Sequence, residues 1–286
     1  MAKLTFLGTG LIGAGLAEAA AKRGDEVVAF NRTLDKARAL AAHGVRAAST
    51  AAEAVRGSER VHIALTDDAA VDAVLASCQD ALGGAVVVDH TTTLPAGTIA
   101  RAKRLMEQGI AFVHAPVFMS PAMCREARGI MLAAGARSAM ERVEAGLRLM
   151  TGTLEYLGER PDLAAAYKLL GNSMILTVVA GLADVYTLAA TLGIPAAEAH
   201  ALFSKFNPAG VITYRGAQMA AGDYRPSFEL TMARKDARLM IETAAAGGQS
   251  LAVLPAIAQR MDELIARGHG ADDVGILSVD AVPKRS

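Results

Sequence analysis

The sequence predicts an α/β protein that begins with a doubly wound parallel sheet and continues as an all-helical domain. Short apolar runs alternate with Ala-rich helical segments over the first 160 residues, which is typical of a parallel sheet covered on both faces. After Arg160-Pro161 long helical periodicities replace the strands. A chain of 286 residues has room for two domains. We therefore expect one domain over residues 1–160 and a second over 161–286.

The elements follow from local composition. Residues 3–7 predict the first strand, an Ala-rich stretch to Arg23 the first helix, and residues 26–30 the second strand. The helical domain opens with one apolar helix over about 161–192, and a helix this apolar is expected to be buried on several sides. Further strands are predicted at 61–65, 86–88, 111–113, 130–133 and 154–157.

Charge and composition disfavour several classes of function. Twenty-nine basic and 29 acidic residues give zero formal charge, and only 12 aromatic residues are present, so neither the positive field nor the stacking platform of a nucleic-acid-binding protein is indicated. None of the eight lysines is followed by Ser or Thr, which excludes a P-loop. No lysine has a tyrosine four residues before it, so the Tyr-Lys pair of short-chain dehydrogenases is absent too.

The cysteines and the apolar stretches indicate a cytoplasmic protein that has neither a metal site nor a membrane-spanning segment. Cys78 and Cys124 lie 46 positions apart, a spacing that predicts neither a disulfide scaffold nor a zinc site. The longest uncharged stretch near the middle, residues 169–183, has 15 residues and is shorter than a bilayer requires. The first ten residues reach glycines before an apolar run long enough for a secretory signal.

A glycine-rich turn links the first predicted strand to the first helix. Gly8 permits a tight turn, Gly10 lets a pyrophosphate approach the backbone, and Gly13 allows the helix to pack on the strand. Leu11 and Ile12 begin the helix, whose free amides would face the phosphates. The turn therefore predicts a Rossmann domain that binds a dinucleotide, and the alternative is a glycine turn without a ligand.

The end of the second strand predicts which dinucleotide is bound. An NAD site normally has an acid about 20 residues after the glycines, whereas this chain reads Asn31-Arg32-Thr33 there. A guanidinium pairs with phosphate oxygens in a forked geometry. We therefore expect NADP(H) rather than NAD(H), with a solvated surface charge as the alternative for Arg32.

Lys168 is a candidate acid–base group, since an ammonium inside an apolar helix must be desolvated, paired or functional. Burial lowers the pKa of a lysine, which then can give a proton to a carbonyl oxygen and take it back. Asn172 lies on the same helical face and would hydrogen-bond the same oxygen or orient the lysine. The alternative is a lysine that reaches past the helix into solvent.

Four segments beyond the glycine turn carry a resemblance to a known family. They are Asp89-His90-Thr91-Thr92-Thr93-Leu94-Pro95, Ala115-Pro116-Val117, Lys168-Leu169-Leu170-Gly171-Asn172, and Phe228-Glu229-Leu230 with Lys235-Asp236. Together they resemble the β-hydroxyacid dehydrogenase family, the group of 3-hydroxyisobutyrate dehydrogenases, tartronate semialdehyde reductases and glyoxylate/succinic semialdehyde reductases. The similarity spans nearly the whole chain.

The resemblance implies an active site between the nucleotide domain and the helical domain. In such a site Lys168 is the acid–base group, Thr92 lies at the nicotinamide, and Lys235 lies by the cofactor. Asp236 and Phe228 would close the substrate pocket, although composition alone favours a surface ion pair for Lys235 and Asp236. The resemblance also implies a dimer or tetramer that forms through the helical domains.

Leu65 and Thr66 end a predicted strand, and strand ends of such sheets meet the cofactor. His90 and His114 are expected to be packed or solvated, with assistance of a proton relay near neutral pH as the alternative. Cys124 is expected to be an ordinary thiol, with a nucleophile as the alternative.

The sequence departs from the family where the substrate is held. The family usually has Ser-Gly-Gly after Pro-Val, whereas this chain has Phe118-Met119-Ser120. Either Ser120, which lies two positions after the usual serine, takes the role of that serine, or Phe118 and Met119 form a more apolar pocket for a larger or less acidic substrate. The glycine-rich approach to the lysine is also replaced, by residues 163–167.

The sequence thus predicts an NADPH-dependent oxidoreductase that reduces a small aldehyde or keto acid, or oxidises the matching 3-hydroxy acid. One alternative is imine reduction on the same scaffold, but those relatives usually replace the catalytic lysine. Another is an NADP(H)-binding module without catalysis, which would have no need of a desolvated acid–base group.

Overall fold

The computed structural model describes residues 2–284, and the chain divides into two compact units, unit 1 up to Asn172 and unit 2 from Ser173. This division lies inside a long helix, twelve residues after the predicted change from strands to helices at 160.

Unit 1 is built on a six-stranded parallel sheet with strand order β3-β2-β1-β4-β5-β6. The strands are β1 (Lys3–Leu7), β2 (Glu26–Phe30), β3 (Arg46–Ala47), β4 (Arg60–Ile63), β5 (Val86–Asp89) and β6 (Ala111–His114). The chain runs outward from β1 to β3 and then returns to the other side of β1. In open α/β sheets ligands bind outside the carboxyl ends of the strands at this switch point. The predicted doubly wound Rossmann sheet is confirmed.

Helices cover both faces of this sheet. They are α1 (Leu11–Lys22), α2 (Leu34–Arg38), α3 (Ala51–Val55), α4 (Asp68–Ala76), α5 (Pro95–Glu107), α6 (Pro121–Arg125) and α7 (Arg137–Arg148). One buried cluster joins the sheet to α1, α6 and α7, and a second joins it to α3, α4 and α5. Residues at the N-termini favour the start of two of these helices. Asp67, the N-cap of α4, accepts a hydrogen bond from the Ala70 N–H at 2.8 Å, and Pro95 occupies the first turn of α5.

A second, three-stranded sheet completes unit 1. It consists of β7 (Val117–Phe118), β8 (Ile130–Ala133) and β9 (Thr153–Tyr156), with β7 antiparallel and β9 parallel to β8. The sequence predicts β8 and β9 but misses β3 and β7, because two residues are too few to show an alternating pattern.

Unit 2 is helical, as predicted. The long helix α8 (Leu163–Thr191) begins in unit 1 and continues into unit 2. The other helices of unit 2 are α9 (Ala196–Ala201), α10 (Gly210–Thr213), α11 (Arg215–Ala220), α12 (Leu230–Ala246) and α13 (Leu254–Leu264). A cluster around Leu230, Ala237, Leu264 and Ile276 packs α12 against α13 and the C-terminal turn.

The burial expected for α8 is wrong for a single chain. Leu170 and Leu176 are each 67% exposed, and Val179 is 59% exposed. By length and composition α8 could also cross a membrane, with 11% of its most apolar 18-residue window buried. The uncharged stretch of 15 residues is shorter than the helix, which continues past Lys168 at one end and past Asp184 at the other.

Asp184 and Asp273 are buried carboxylates that organise unit 2. Asp184 in α8 accepts hydrogen bonds from three consecutive backbone N–H groups, those of Ala252, Val253 and Leu254, and so ties α8 to the start of α13. Asp273 accepts from the Gly275 N–H at 2.9 Å, from the Arg215 guanidinium at 2.9 Å, and from the backbone and hydroxyl of Ser227.

We expect the stability of unit 2 to depend on the charge of Asp273. Burial alone would raise the pKa of this carboxyl, but its hydrogen bonds from Gly275, Arg215 and Ser227 outweigh burial and hold the pKa well below its ordinary value. Since the folded pKa is depressed, the stabilisation is complete above pH of about 4 and is lost as pH falls toward the folded pKa.

Asp273→Asn should lower the free energy of unfolding at pH 7 by about 2–4 kcal/mol, measured by urea denaturation. The matched control is Asp262→Asn, which breaks a pair with Arg234 on the surface and should cost far less. Equal losses for the two variants would contradict the role given to Asp273.

Candidate active site

A cavity of about 750 Å³ lies in unit 1 at the carboxyl ends of β1, β2, β4 and β5. Many of the residues predicted to bind the cofactor line it, namely Gly8, Gly10, Leu11, Ile12, Gly13, Asn31, Arg32, Thr33, Leu65, Thr66 and Thr92. Lys168 lines the same cavity, together with His90, Val117 and Met119. The structure therefore brings the predicted nucleotide end and the predicted acid–base group to one cavity.

The glycine turn is shaped by close packing. Gly8 has φ +98°, a left-handed conformation that favours glycine, and a Cβ there would overlap the Ala64 carbonyl after β4. A Cβ on Gly13 would overlap the Gly8 carbonyl oxygen. Within residues 2–284, a Cβ added to Gly10 meets nothing within 4 Å, and no side chain caps the first N–H groups of α1. Open space and free amides at one helix start fit a pyrophosphate.

Asn31 positions the ribose end of the cavity. Its Oδ1 accepts from the Thr9 N–H at 3.1 Å, and its Nδ2 donates to the Thr33 carbonyl at 3.0 Å. These bonds tie the glycine turn to the end of β2. Arg32 beside it supplies a cation, and the structure adds Lys36 of α2, which sequence reasoning missed. Its position four residues after Arg32 in the sequence was the available signal.

Removing both cations should change which cofactor the protein prefers. We expect Arg32→Ala combined with Lys36→Ala to raise KM for NADPH by about 10–100-fold and to leave KM for NADH nearly unchanged, because only NADPH carries the 2′-phosphate. Steady-state kinetics with both cofactors measures the effect. Arg38→Ala, which breaks an exposed pair with Asp35 on the same helix, is the control. An equal rise for both cofactors would contradict the assignment.

The loop after β5 is fixed by hydrogen bonds at its base. The Thr91 N–H donates to Asp89 Oδ1 at 2.9 Å, and the Leu65 N–H donates to Thr91 Oγ1 at 3.1 Å. Asp89 is fully buried, with Arg101 Nη1 3.6 Å from its Oδ2, and burial raises the pKa of the Asp89 carboxyl. The loop that presents Thr92 to the cavity is therefore anchored to Asp89 at the end of β5 and to Leu65 after β4.

A buried histidine pair supports the same loop. His90 Nδ1 lies 2.7 Å from the Ala115 carbonyl, so this nitrogen carries the hydrogen, and His90 Nε2 then accepts from His62 Nδ1 at 3.0 Å. Burial lowers the pKa of His90 to about 4, and burial also holds the pKa of His62 well below its ordinary value. Both rings are neutral near pH 7, which fits the packed role predicted for His90. His114 is also buried and donates to the Thr91 carbonyl.

Lys168 points into the cavity wall rather than into bulk solvent. Its Nζ donates to the Val117 carbonyl at 2.8 Å and lies 4.0 Å from the centroid of the Phe118 ring. Burial lowers the pKa of the Lys168 amine. A half-buried amine with a depressed pKa, in one cavity with Thr92, is suited to proton transfer.

Ser120, Asn172 and Cys124 are not among the residues that line the cavity. Ser120 is exposed, and its hydroxyl accepts from the Met123 N–H at 3.3 Å as the N-cap of α6. Asn172 is half-buried one helical turn after Lys168 and is not among the residues that line the cavity. Cys124 is buried, and burial raises the pKa of its thiol to about 11, which agrees with an unreactive cysteine.

Three further predicted residues belong to unit 2. Lys235 and Asp236 pair on α12 with Nζ and Oδ1 2.7 Å apart, and Phe228, 38% exposed, precedes the same helix. Their roles at the cofactor and the substrate stay predictions. Among residues 2–284, no group of three or more His, Cys, Asp or Glu side chains is arranged to hold a metal ion.

Family models match almost the whole chain. The NAD binding domain of 6-phosphogluconate dehydrogenase matches residues 3–158, and the NAD-binding domain of NADP-dependent 3-hydroxyisobutyrate dehydrogenase matches residues 163–279. Together these matches cover the sheet of unit 1 and the helices of unit 2.

Two curated relatives are similar over most of this chain. Glyoxylate/succinic semialdehyde reductase 2 of Arabidopsis thaliana is 28% identical over 275 residues, 94% of this chain and 75% of that protein. The cytokine-like nuclear factor N-PAC of Homo sapiens is 29% identical over 245 residues, 84% of this chain. The matched segment spans 44% of the length of N-PAC.

Solved structures share the complete fold. A reductive aminase from Aspergillus terreus, in complex with NADPH4, cyclohexanone and allyl amine, is 25% identical with a TM-score of 0.90, and the match covers 98% of this chain and 99% of that one. The imine reductase of Streptomyces aurantiacus is 27% identical with a TM-score of 0.90, covering 99% of this chain and 100% of that one.

The cavity, its cations and these matches agree on one conclusion. The glycine turn fits a pyrophosphate, and Arg32 and Lys36 fit a 2′-phosphate. Both family models describe NAD-binding domains of dehydrogenases, one of them NADP-dependent. The chain belongs to the β-hydroxyacid dehydrogenase family, a family of NAD(P)-binding oxidoreductases.

Proposed function

We propose that this protein is an NADP-dependent semialdehyde reductase, which reduces a small aldehyde or keto acid or oxidises the matching 3-hydroxy acid. The observation that carries the proposal is Lys168: a half-buried amine with a lowered pKa that lines the same cavity as the glycine turn and Thr92. A semialdehyde reductase among the relatives supports this choice of substrate.

NADP(H), when bound, supplies or accepts the hydride. Lys168 Nζ gives a proton to the carbonyl oxygen during reduction and takes it back during oxidation. The Val117 carbonyl holds the amine at 2.8 Å and limits its rotation. Thr92, on the loop fixed by Asp89 and His90, and Asn172, on the helical face of Lys168, would orient the substrate oxygen.

Imine reduction is the second candidate. It is favoured by the similarity to the reductive aminase and the imine reductase. The third candidate is an NADP(H)-binding module without catalysis. It is kept because the relative N-PAC is named as a nuclear factor. A reductase would consume NADPH steadily with an aldehyde alone, an imine reductase only with an imine or with a carbonyl compound and an amine together, and a binding module with none of these.

The proposal is tested by following NADPH absorbance with 4-oxobutanoate, with neutral aldehydes and ketones, and with each of these plus an amine. Consumption with a carbonyl compound alone supports the reductase. Consumption that requires the amine would replace it with the imine reductase.

We also propose a cytoplasmic homodimer or tetramer that acts on a small molecule, without a nucleic-acid or membrane partner. The apolar face of α8, on which Leu170, Leu176 and Val179 are exposed, would be covered by a second copy of the chain. Lys168 and Asp184 fix α8 to folded parts of the protein, which favours this reading over a membrane span. Light scattering of the protein in detergent-free buffer tests the proposed oligomer, and a monomer would contradict the proposal.

A further inference from the structure

The loop that carries Thr92 is fastened at both ends by carboxylates. It lies between β5 and α5. At its start Asp89 Oδ1 accepts from the Thr91 N–H at 2.9 Å. At its end Asp68 Oδ2, on α4, accepts from the Leu94 N–H at 2.9 Å. Asp89 belongs to the strand that leads into the loop, whereas Asp68 lies 26 positions before Leu94, so this second anchor is supplied by the fold.

The neighbours of Thr92 use their polar groups inside the protein. The Thr91 carbonyl accepts from His114 at 3.0 Å, and the Thr93 hydroxyl shares a hydrogen bond of 2.9 Å with the Thr98 hydroxyl. In the part of the chain that the structure describes, the Thr92 hydroxyl has no such partner. Thr92 is exposed and lines the cavity of the candidate active site. The loop therefore presents one free hydroxyl to the cavity, and the position of that hydroxyl depends on the anchors.

The Asp68 carboxylate is itself held in one orientation. Its Oδ1 accepts from Arg101 Nη2 at 2.8 Å, and the Arg101 side chain is fully buried. Gly97 on α5 packs against the carboxylate, and a Cβ at this glycine would overlap Asp68 Oδ1. Since Oδ1 is bound to Arg101, Oδ2 is left for the Leu94 N–H. A hydrogen bond from a backbone N–H to a carboxylate is stronger than one between neutral groups.

A second carboxylate on α4 provides a matched comparison. Asp72 Oδ1 accepts from Arg101 Nε at 2.8 Å and from Arg104 Nη2 at 2.7 Å. Asp68 and Asp72 thus each bind Arg101 and one further donor. The further donor of Asp72 is a side chain of α5 that does not line the cavity, whereas that of Asp68 is the backbone of the Thr92 loop. The loop contact is what separates the two carboxylates.

We infer that Asp68 is a positioning residue, which sets the place of the Thr92 hydroxyl beside the substrate through the Leu94 N–H. The inference rests on the proposed reductase activity, in which Thr92 orients the substrate oxygen and Lys168 transfers the proton. A misplacement of about 1 Å at a reacting centre costs up to about 100-fold in rate. Binding of NADPH should depend little on Asp68, because the phosphates are expected at the glycine turn.

Two variants test the inference. Asp68→Ala should lower kcat for the carbonyl substrate about 10–100-fold and change the dissociation constant for NADPH by less than about threefold. Asp72→Ala should lower the melting temperature by a similar amount, since it also loses a pair with Arg101, but should keep kcat within about twofold of the wild-type value. Equal losses of kcat would overturn the inference, because the cause would then be the Arg101 network and not the loop.

A double-mutant cycle shows whether Asp68 acts through Thr92. Thr92→Val keeps the branched shape of the side chain and removes the hydroxyl. In this background Asp68→Ala should lower kcat by no more than about threefold, against about tenfold or more in the wild-type background. A full second loss in the double variant would show that Asp68 acts by another route.

Hydrogen–deuterium exchange separates the inference from the proposed function. The peptide that spans Thr92 and Leu94 should exchange faster in Asp68→Ala than in the wild-type protein or in Asp72→Ala. Unchanged exchange would remove Asp68 as an anchor and leave the reductase activity standing. If wild-type protein that binds NADPH reduces no carbonyl compound, the proposed function fails instead. Should Asp68→Ala not fold, Gly97→Ala displaces the same carboxylate, and wild-type kcat and exchange in that variant would contradict the inference.

Discussion

Replacing Lys168 with alanine is expected to lower turnover of the carbonyl substrate about 10²–10⁴-fold, because the proton must then come from water instead of a positioned amine. The dissociation constant for NADPH should change little, since Lys168 lies at the Thr92 end of the cavity and the phosphates are expected at the glycine turn and Arg32. Stopped-flow measurement of NADPH oxidation and fluorescence titration of NADPH separate the two effects.

The control for this variant is Lys103→Ala. Lys103 lies on α5 with a side chain 73% exposed and a long pair with Glu107, so its loss should leave turnover unchanged. Wild-type turnover in Lys168→Ala would remove Lys168 from the mechanism. A loss of NADPH binding equal to the loss of turnover would indicate a structural role instead.

Substitutions in the glycine turn should distinguish the space for the cofactor from the packing of the fold. Gly13→Ala places a Cβ on the Gly8 carbonyl oxygen, so we expect both a lower melting temperature and a loss of NADPH binding of 100-fold or more. Gly10→Ala meets no protein atom within 4 Å and should fold normally. It should still weaken NADPH binding at least tenfold, because its Cβ would occupy the approach of the pyrophosphate.

Gly84→Ala is the matched control, as a Cβ there also meets nothing within 4 Å and the residue lies outside the cavity. Calorimetry gives the melting temperature and titration gives the dissociation constant for each variant. Normal NADPH binding by Gly10→Ala would contradict the phosphate site at this turn.

Much of unit 1 is predictable because its signals are local. Short strands buried in the sheet, such as β1 and β5, are mostly apolar runs, and the glycines between β1 and α1 mark a tight turn. The two-residue strands β3 and β7 depend on pairing with distant strands, so no local pattern reveals them.

The burial of α8 could not be predicted in the same way. Apolar composition shows that a helix needs a cover, but it does not show whether that cover comes from the same chain or from another copy. Leu170 and Leu176 are exposed in the single chain, so the prediction of burial fails there.

Site residues that belong to a sequence motif were predictable, whereas residues that only the fold brings to the site were not. Lys168 and the glycine turn stand out by chemistry in the sequence, whereas Phe118 contacts Lys168 across 50 positions of chain. Lys36 is an ordinary surface lysine until α2 brings it to the cavity with Arg32. The role of Asp273 in unit 2 likewise depends on contacts made only in the folded chain.

The pH profile of alcohol oxidation, measured for the wild-type protein and for Lys168→Ala, tests the central claim most directly. The neutral amine is the base in this direction, so kcat/KM should rise with pH and level off above a pKa lower than the ordinary lysine value of 10.5, because burial disfavours the ammonium. The rising limb should be absent from Lys168→Ala. The same limb with the same pKa in both proteins would show that another group carries the proton.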